Sequence, residues 1–220
     1  MENHGVYRDL TNGSYPFLIL PIETKVREFH AKLLLSCFAA EAGFRIIFGD
    51  QNEIIKNLKS LPRGIYIDKG VAGTKVKNFR RNHKLGNRVV AWCEEGLTFR
   101  HPESYLKERI SIEAFDLVQR FFAWGSHQDH IIREKINHDE DNKIICSGNP
   151  RFDLLQPVFR QIFLPDAKTI QDHHGRFILI NTNFSRFNHY YGREFVIKNL
   201  KERGRIRNEK DEAFFRAWSD

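Results

Sequence analysis

A chain of 220 residues with 41% hydrophobic and 13% aromatic side chains can form a folded core, which excludes wholesale disorder. The formal net charge of +7 favours an anionic partner: a nucleotide, a phospholipid surface or a nucleic acid. No apolar run in the sequence approaches the ~20 residues that a helix needs to span a bilayer.

Short apolar runs alternate with helical periodicities along most of the chain. The apolar runs predict strands at 17–20, 44–48, 64–67, 89–93, 121–124 and 143–146. Apolar positions that recur every three or four residues predict helices at 26–42, about 54–58, 74–84, 112–118, 128–136 and 153–163. Because the strands are almost continuously apolar and alternate with helices, the sequence predicts an α/β fold: a Rossmann-like parallel sheet with helices on both faces.

The first helix is predicted to bury one apolar stripe. Val26, Phe29, Leu33 and Cys37 recur at helical spacing and form that stripe. Gly43 is predicted as the C′ residue that ends the helix, since glycine tolerates the left-handed conformation needed there.

The pattern divides the chain into a domain at residues 1–163, a linker at 164–176 and a second domain at 177–220. The linker is polar and contains Pro165 and Gly175, which favour irregular structure. Residues 177–180 predict one further strand, and charged, helix-prone segments follow it. Because a domain of this class needs several strands, residues 177–220 are predicted to be an incomplete start of the second domain.

Glu94, Glu95 and Gly96 directly follow the predicted strand at 89–93. In open α/β sheets, ligands bind at the carboxyl ends of strands, so a catalytic group is expected here. Two adjacent carboxylates could raise the pKa of one of them and suit it to act as a general base. Glu95 is favoured because the missing side chain of Gly96 would let a substrate approach closely. The alternative is a solvated junction between strand and loop.

Other polar residues after predicted strands are candidates for binding a substrate. Glu23, Lys25 and Arg27 open the first helix, where cationic groups and backbone N–H groups could hold an anionic or hydroxylated ligand. Lys69 begins a glycine-containing loop that matches no phosphate-binding fingerprint. His101 could supply a second acid/base group. Each residue also has an ordinary interpretation as surface charge, helix capping or part of a turn.

The segment GNPRFD, residues 148–153, directly follows the predicted strand at 143–146. Arg151 could position an anionic sugar or phosphate group through bidentate pairing. Asn149 is a binding candidate beside it, although an Asn-Pro pair is also a turn former that shapes loops.

No metal site is predicted. Asp139-Glu140-Asp141 has the DxD form with which some sugar-nucleotide enzymes hold a metal, but it precedes a strand and lies in a polar turn. The histidine pairs of the sequence lack the spacing of a zinc signature. The basic helix at 74–84 is predicted to be a solvated or lipid-facing surface, because nucleic-acid binding would need exposed aromatics there.

With these motifs in order, the chain resembles the surface-carbohydrate biosynthesis proteins of bacteria, which are relatives of GT-B-type glycosyltransferases. The likeness is carried by LPIETKVREFHAKLLL, IYIDKG, WCEEGL, FFAWG, SGNPRFDLL and ILINTNF, which together span about residues 17–184. The resemblance implies an N-terminal, acceptor-side domain at 1–163 and a truncated C-terminal, donor-side domain at 177–220. Asn183, within ILINTNF, joins the substrate-binding candidates.

The acidic-acidic-glycine element is similar to one in bacterial sialyltransferases and Kdo transferases, where acidic residues act on a CMP-activated sugar. This similarity implies that Glu95 or Glu94 is the catalytic carboxylate. Those families also have a His-Pro motif that contacts CMP, but it lies in their second domain, so His101 is not equated with it. The resemblance implies neither a metal nor a cofactor.

The expected function is transfer of a sugar from a nucleotide-sugar donor, with a CMP-sugar as one candidate. The acceptor would be a glycan or glycolipid of the capsule or lipopolysaccharide. One alternative is a non-catalytic binding or scaffold module of the same pathway, against which transfer or donor hydrolysis would count. A second alternative, suggested only by charge, is a nucleic-acid-binding protein, which steeply salt-dependent oligonucleotide binding would support. The favoured function involves no nucleic acid.

The expected location is the cytoplasm. Residues 1–12 lack the apolar core of a signal peptide. Cys37, Cys93 and Cys146 each lie inside an apolar segment, so they are expected to be buried, reduced thiols. A peripheral position at the inner face of the cytoplasmic membrane is an alternative that the basic charge allows.

Overall fold

The computed structural model describes residues 16–99, 101–136, 142–180, 189 and 191–218. The chain forms two compact units, Met1–Leu164 and Pro165–Asp220. The division between them falls beside the domain boundary that the sequence predicts at residue 163.

The first unit contains a six-stranded sheet in which all neighbouring strands are parallel. Its strands are β1 (Phe17–Ile22), β2 (Arg45–Asp50), β3 (Gly64–Asp68), β4 (Arg88–Trp92), β5 (Arg120–Ala123) and β6 (Ile144–Cys146). In space they follow the order β2-β1-β3-β4-β5-β6. The predicted α/β, Rossmann-like fold is confirmed, and each strand predicted in this unit forms near its expected bounds.

Helices of the first unit cover both faces of the sheet. They are α1 (Lys25–Glu41), α2 (Gln51–Asn57), α3 (Val76–Lys84), α4 (Pro102–Arg109), α5 (Ile112–Asp116), α6 (Ser126–Ile136), α7 (Pro150–Asp153) and α8 (Pro157–Arg160). Three further helices follow along the chain: α9 (Leu164–His174), α10 (Gly192–Glu202) and α11 (Glu209–Trp218). On one face, Phe79 of α3, Phe115 of α5 and Ile132 of α6 belong to the larger core cluster. On the other face, Ala39 of α1 joins Trp92 of β4 in a second cluster.

Three helical segments differ from the sequence-based expectation. The helix expected at 153–163 is broken into α7, α8 and a 3-10 turn, because Pro157 has no N–H to continue a helix begun before it. The linker expected at 164–176 is mostly α9, and its Pro165 is tolerated in the first helical turn. The helix α4 was not expected.

The helix α1 buries a different face from the predicted stripe. Val26 is 91% exposed and Leu33 is 41% exposed, whereas Glu28 and Lys32 are buried. The prediction is wrong because α1 carries apolar residues all round, and its inner face holds charged groups that pair beneath the helix. Aromatic rings of the segment 157–163 pack against part of the outer face.

The second unit, among its described residues, is helical. Residues 177–180, predicted to be a strand, have no regular secondary structure and are at least half exposed. A strand needs a neighbour for its backbone hydrogen bonds, and no described strand pairs with this segment. Val196 of α10 and Phe215 of α11 share a small buried cluster. Arg216 also donates to both carboxylate oxygens of Glu194, at 2.5 and 2.8 Å.

The expected burial of the cysteines holds for Cys93 alone. Cys37 and Cys146 are exposed, because Cys37 lies on the outer face of α1 and Cys146 ends the edge strand β6. No helix in the described ranges combines the length and the apolar character needed to cross a membrane.

Candidate functional site

The carboxyl ends of β1, β3 and β4 meet at one edge of the sheet. The strand order changes direction at β1, since β2 lies on one side of it and β3 on the other. In open α/β sheets such a switch point is where ligands bind. A cavity of about 320 Å³ opens there, and its charged lining residues are Glu23, Lys69, Lys75, Glu94, Glu95 and Arg109. Charges of both signs suit a ligand with hydroxyl and anionic groups.

A buried lysine beneath this cavity joins α1 to the acidic pair. Lys32 is 3% exposed, and its Nζ lies 2.7 Å from Glu28 Oε2, 2.7 Å from the Pro21 carbonyl oxygen and 3.3 Å from Glu94 Oε1. The indole N–H of Trp92 donates to the same oxygen of Glu94, at 3.0 Å. Buried charges are tolerated only when they are paired and hydrogen-bonded. These contacts therefore fix the Glu94 carboxylate at the end of β4.

Glu28 fixes the loop that follows β1. Its carboxylate accepts hydrogen bonds from the backbone N–H of Glu23, at 3.0 Å, and of Thr24, at 3.1 Å. Burial alone would raise the pKa of Glu28, but the hydrogen bonds from Lys32 and from these N–H groups lower it below its ordinary value. The Glu28 side chain is therefore a carboxylate at neutral pH.

Lys69 spans the cavity. It pairs with Glu23 on the loop after β1, and its Nζ lies 3.5 Å from Glu28 Oε1. Burial would lower the pKa of Lys69, but the hydrogen bond to Glu23 and the negative charges around it raise that pKa above its ordinary value. Lys69 therefore provides a permanent positive charge at the cavity wall.

Asp68, the last residue of β3, is a further buried carboxyl group at this edge. It is 1% exposed, and Lys75 Nζ lies 3.0 Å from its Oδ1. Burial raises the pKa of Asp68 above its ordinary value, although the positive charge of Lys75 lowers it in part. Folding thus favours the protonated form of Asp68.

Asp68 should give the fold a pH dependence that Asp68→Asn removes. Because the folded protein holds the Asp68 proton more tightly than the unfolded chain, this stabilising effect is complete below the ordinary pKa and lost as the pH rises through the raised one. We expect the unfolding free energy of the wild type, relative to Asp68→Asn, to fall as the pH rises above 3.8. Urea unfolding of both proteins measures the difference, and a difference that is independent of pH would contradict this prediction.

Glu95 is more accessible than Glu94. Its side chain is 42% exposed and pairs with Arg109 at the end of α4, whose side chain is 46% exposed. Ion pairs near the surface contribute little stability, so an anionic group of a ligand can replace Glu95 on Arg109. The acidic pair thus combines one fixed carboxylate with one accessible carboxylate.

The acidic pair also borders a second cavity, of about 350 Å³. Trp124 and Phe152 meet edge to face in its lining, with ring centres 5.0 Å apart. Arg151 lines the same cavity and donates to the backbone oxygen of Glu94 at 3.4 Å. Glu94 and Glu95 therefore form a wall that the two cavities share.

The structure brings part of the predicted site together. Glu23, Lys69, Glu94 and Glu95 line the first cavity, and Arg151 lines the second. These residues follow β1, β3, β4 and β6 along the chain. The expectation that strand-end residues would gather at one edge of the sheet thus describes this group.

The other predicted site residues are not in the lining of these cavities, although Lys25 and Arg27 lie at the same edge of the sheet. Lys25 and Arg27 are exposed on the first turn of α1, and His101 is the exposed N-cap residue of α4; these three line neither cavity. Asn149 is buried and caps α7, because its side-chain oxygen accepts a hydrogen bond from the backbone N–H of Arg151 at 3.0 Å. Its Nδ2 has no hydrogen-bond partner among the described residues. Asn183 lies outside the described residues.

Gly96 is required for packing, and the predicted approach of a substrate over it is wrong. A β-carbon at Gly96 would lie 2.0 Å from Gln128 Nε2 and 2.9 Å from the hydroxyl oxygen of Tyr105. Gln128 is buried; it accepts from the backbone N–H of Trp124 at 2.8 Å and donates to the Tyr105 hydroxyl at 2.6 Å. The space above Gly96 is therefore filled by the protein itself.

Gly96→Ala is expected to lower the free energy of unfolding by about 1–3 kcal/mol, because the added methyl group displaces a buried, hydrogen-bonded side chain. Gly70→Ala is the matched control, since a β-carbon there meets nothing within 4 Å. Urea denaturation of the two variants measures both effects. Equal free energies of unfolding for the two variants would contradict the prediction, because they would show that the Gln128 side chain can move aside without loss of stability.

Several residues of the site escaped sequence reasoning: Glu28, Lys32, Asp68, Lys75 and Arg109. The spacing of Glu28 and Lys32, four residues apart on one helix, is the signal that could have shown an ion pair. Asp68 ends an apolar strand, and a carboxyl group in that position is the signal that could have marked it as a site candidate. Arg109 belongs to the helix that was not expected, so no signal placed it.

Metal ligands do not gather in the described ranges of the chain, where no group of three or more His, Cys, Asp and Glu residues could hold an ion. The DxD segment at 139–141 lies outside the described residues.

No protein-family model matches the chain, and no significant match was found among curated proteins or among solved structures. The functional interpretation therefore depends on the geometry of the site and on the sequence motifs.

Proposed function

We propose that this protein transfers a sugar from a nucleotide-sugar donor to a growing bacterial surface glycan. The observation that carries the proposal is the wall shared by two cavities, which Glu94 and Glu95 form. Group transfer requires the two reactants to meet, and a carboxylate in a shared wall can contact both and accept a proton from one of them. The Rossmann-like fold and the resemblance to surface-carbohydrate biosynthesis proteins support the same reading.

In this proposal Glu95 is the general base. It takes the proton of an acceptor hydroxyl group while the acceptor oxygen bonds to the anomeric carbon of the donor. The bond from that carbon to the phosphate oxygen breaks, and the nucleotide leaves with the electron pair. Glu94 is a positioning residue, since Lys32 and Trp92 hold its Oε1 in place. When the substrate binds, Arg109 releases Glu95 and pairs instead with an anionic group of the substrate.

The proposed donor is a nucleotide sugar, with a CMP-sugar as the first candidate, and the proposed acceptor is a glycan or glycolipid of the capsule or lipopolysaccharide. Phosphate and carboxylate groups of such substrates match the positive charges of Lys69, Lys75 and Arg109 in the first cavity. We place the activity in the cytoplasm, at the inner face of the cytoplasmic membrane. The net charge of +7 favours contact with anionic lipid there.

Incubation of the purified chain with CMP-, UDP- and GDP-sugars tests the proposal. We expect one donor to release free nucleotide, and the release to quicken when an acceptor glycan is added. Failure to release nucleotide from any donor, with and without acceptors, would contradict an enzymatic role.

A non-catalytic binding module of the same pathway is the second candidate. One observation favours it: both carboxylates of the acidic pair already have partners, Glu94 with Lys32 and Glu95 with Arg109. This function predicts donor binding without release of nucleotide. Calorimetric titration with each nucleotide sugar, beside the release assay, distinguishes the two candidates.

A further inference from the structure

The amino ends of the strands carry a row of arginines, at the edge of the sheet opposite the cavities. Arg45 begins β2, Arg63 directly precedes β3, Arg88 begins β4 and Arg120 begins β5. All of them are exposed. Because neighbouring strands lie about 4.8 Å apart, the row extends for roughly 20 Å along the sheet.

A second rank of basic residues lies beside this row, because the helices of a parallel α/β sheet end at the edge where the strands begin. Lys59 follows α2, and Arg81 and Lys84 lie in the last turn of α3. The described acidic residues in the last helical turns at this edge include Glu41 of α1, Glu113 and Asp116 of α5, and Glu134 of α6; Glu113 pairs with Arg80. The amino-edge band is defined as Arg45, Lys59, Arg63, Arg81, Lys84, Arg88 and Arg120.

The band ends before β6. Lys143, which precedes β6, donates to the carbonyl oxygen of Asp116 at 3.3 Å. In the last turn of α6, before β6, Arg133 pairs with Asp129, and Lys135 donates to the carbonyl oxygens of Leu106 and Ile110. The band is therefore defined between β2 and β5.

Local contacts do not account for the whole row. The Arg45 guanidinium lies 4.1 Å from the centre of the Phe17 ring, which stabilises it locally. Arg63 and Arg88 have no ion-pair partner among the described residues, and Arg120 donates to the backbone oxygen of the residue before it. Basic residues outnumber acidic ones at this edge, and like charges in excess repel one another, so an anionic partner would stabilise this edge.

We propose that the amino-edge band binds the surface of an anionic lipid bilayer. A cluster of this many basic residues is typical of segments that bind acidic lipids, and each residue adds about fivefold to the affinity. Binding of single-stranded nucleic acid relies on stacking with exposed aromatic rings. The segments 57–64 and 81–88, which carry five of the seven residues of the band, contain no Phe, Tyr or Trp, and the Phe17 ring beside Arg45 is only partly exposed. The band thus matches a charged, featureless surface better than a strand of bases.

The inference rests on the membrane contact within the proposed function and is independent of sugar transfer. Flotation of the full chain with lipid vesicles tests it. We expect binding to vesicles of equal parts phosphatidylcholine and phosphatidylglycerol, no binding to phosphatidylcholine alone, and release as sodium chloride rises. Arg88→Glu/Arg120→Glu should lower the partition coefficient at least about 30-fold, from roughly fivefold for each positive charge removed.

Lys25→Glu/Arg27→Glu is the matched control, because it makes the same change of net charge on exposed residues at the opposite edge of the sheet. We expect it to keep most of the affinity for vesicles. Far-UV circular dichroism checks the fold of each variant. If Arg88→Glu/Arg120→Glu does not fold, Arg63→Gln/Arg88→Gln is compared with Lys25→Gln/Arg27→Gln, which makes the same change of net charge.

Three results would overturn the proposal: no binding to the anionic vesicles, equal losses in the variant and its control, or displacement of the vesicles by an oligonucleotide that binds more tightly in the same salt. The last result would assign the band to a nucleic acid. Nucleotide release measured in solution, without vesicles, reports on sugar transfer separately. A loss of lipid binding with unchanged release therefore concerns the band alone.

Discussion

Replacing Lys32 by methionine is expected to lower the free energy of unfolding by about 3–5 kcal/mol, a large part of the stability of an ordinary domain. Lys32 is buried and pairs with Glu28 at 2.7 Å and with Glu94 at 3.3 Å. Methionine fills a similar volume, so the main loss is the positive charge between two buried carboxylates. Urea denaturation followed by circular dichroism measures the change.

Two further variants show whether the buried charge is the cause. Lys107→Met makes the same substitution at an exposed position of α4 and should change the stability by less than about 0.5 kcal/mol. Glu28→Gln/Lys32→Met removes both charges of the pair and should cost less than Lys32→Met alone, because no carboxylate of that pair is left uncompensated. A Lys32→Met protein as stable as Lys107→Met would show that the carboxylates find other partners.

Glu95→Gln is expected to slow nucleotide release by a factor of about 10²–10⁴, the usual contribution of a positioned acid/base group. Glutamine keeps the shape of the side chain but cannot take up the proton. Because the pair of Glu95 with Arg109 lies near the surface, the stability should change by less than about 1 kcal/mol. Release kinetics and urea denaturation of the same preparation measure both quantities.

Glu94→Gln should behave differently, because Glu94 acts through its position and its contact with Lys32. We expect a lower rate together with a lower stability, while the pH dependence of the remaining activity follows the wild type. Glu103→Gln, at an exposed position of α4, is the control and should match the wild type in both assays. If Glu94→Gln alone removes the base from the pH profile, the two roles are exchanged. If neither variant is slower, the catalytic group lies elsewhere.

The strands could be predicted because burial on both faces of a parallel sheet requires a continuous run of apolar residues. Ile19 and Leu20 point to opposite faces of β1, and both are fully buried. The segment 177–180 is also a continuous apolar run, but it forms no strand. Apolar character shows that a segment can be buried, but pairing depends on a neighbour that a local pattern does not reveal.

The site was predictable only where it follows from strand polarity. Glu23, Lys69, Glu94 and Glu95 gather because parallel strands end together. The orientation of α1 was not predictable from hydropathy. Hydropathy places Glu28 and Lys32 on the exposed face of the helix, whereas their ion pair and the contact of Lys32 with Glu94 make their burial possible. Long-range pairs such as Glu95 with Arg109 likewise depend on where another helix ends.

The polarity of the sheet has a consequence for the length of the acceptor. The strand β1 has six residues and is about 20 Å long, so it separates the amino-edge band from the acidic pair by that distance. With lipid against the band, the two cavities would open on the side of the sheet away from the head groups. A sugar attached directly to its lipid carrier would not reach Glu95, whereas the far end of a longer glycan would. The distance between the band and Glu95 would thus set a minimum length for the acceptor. The protein would extend a glycan that already carries several sugars and would not add the first sugar to the lipid carrier.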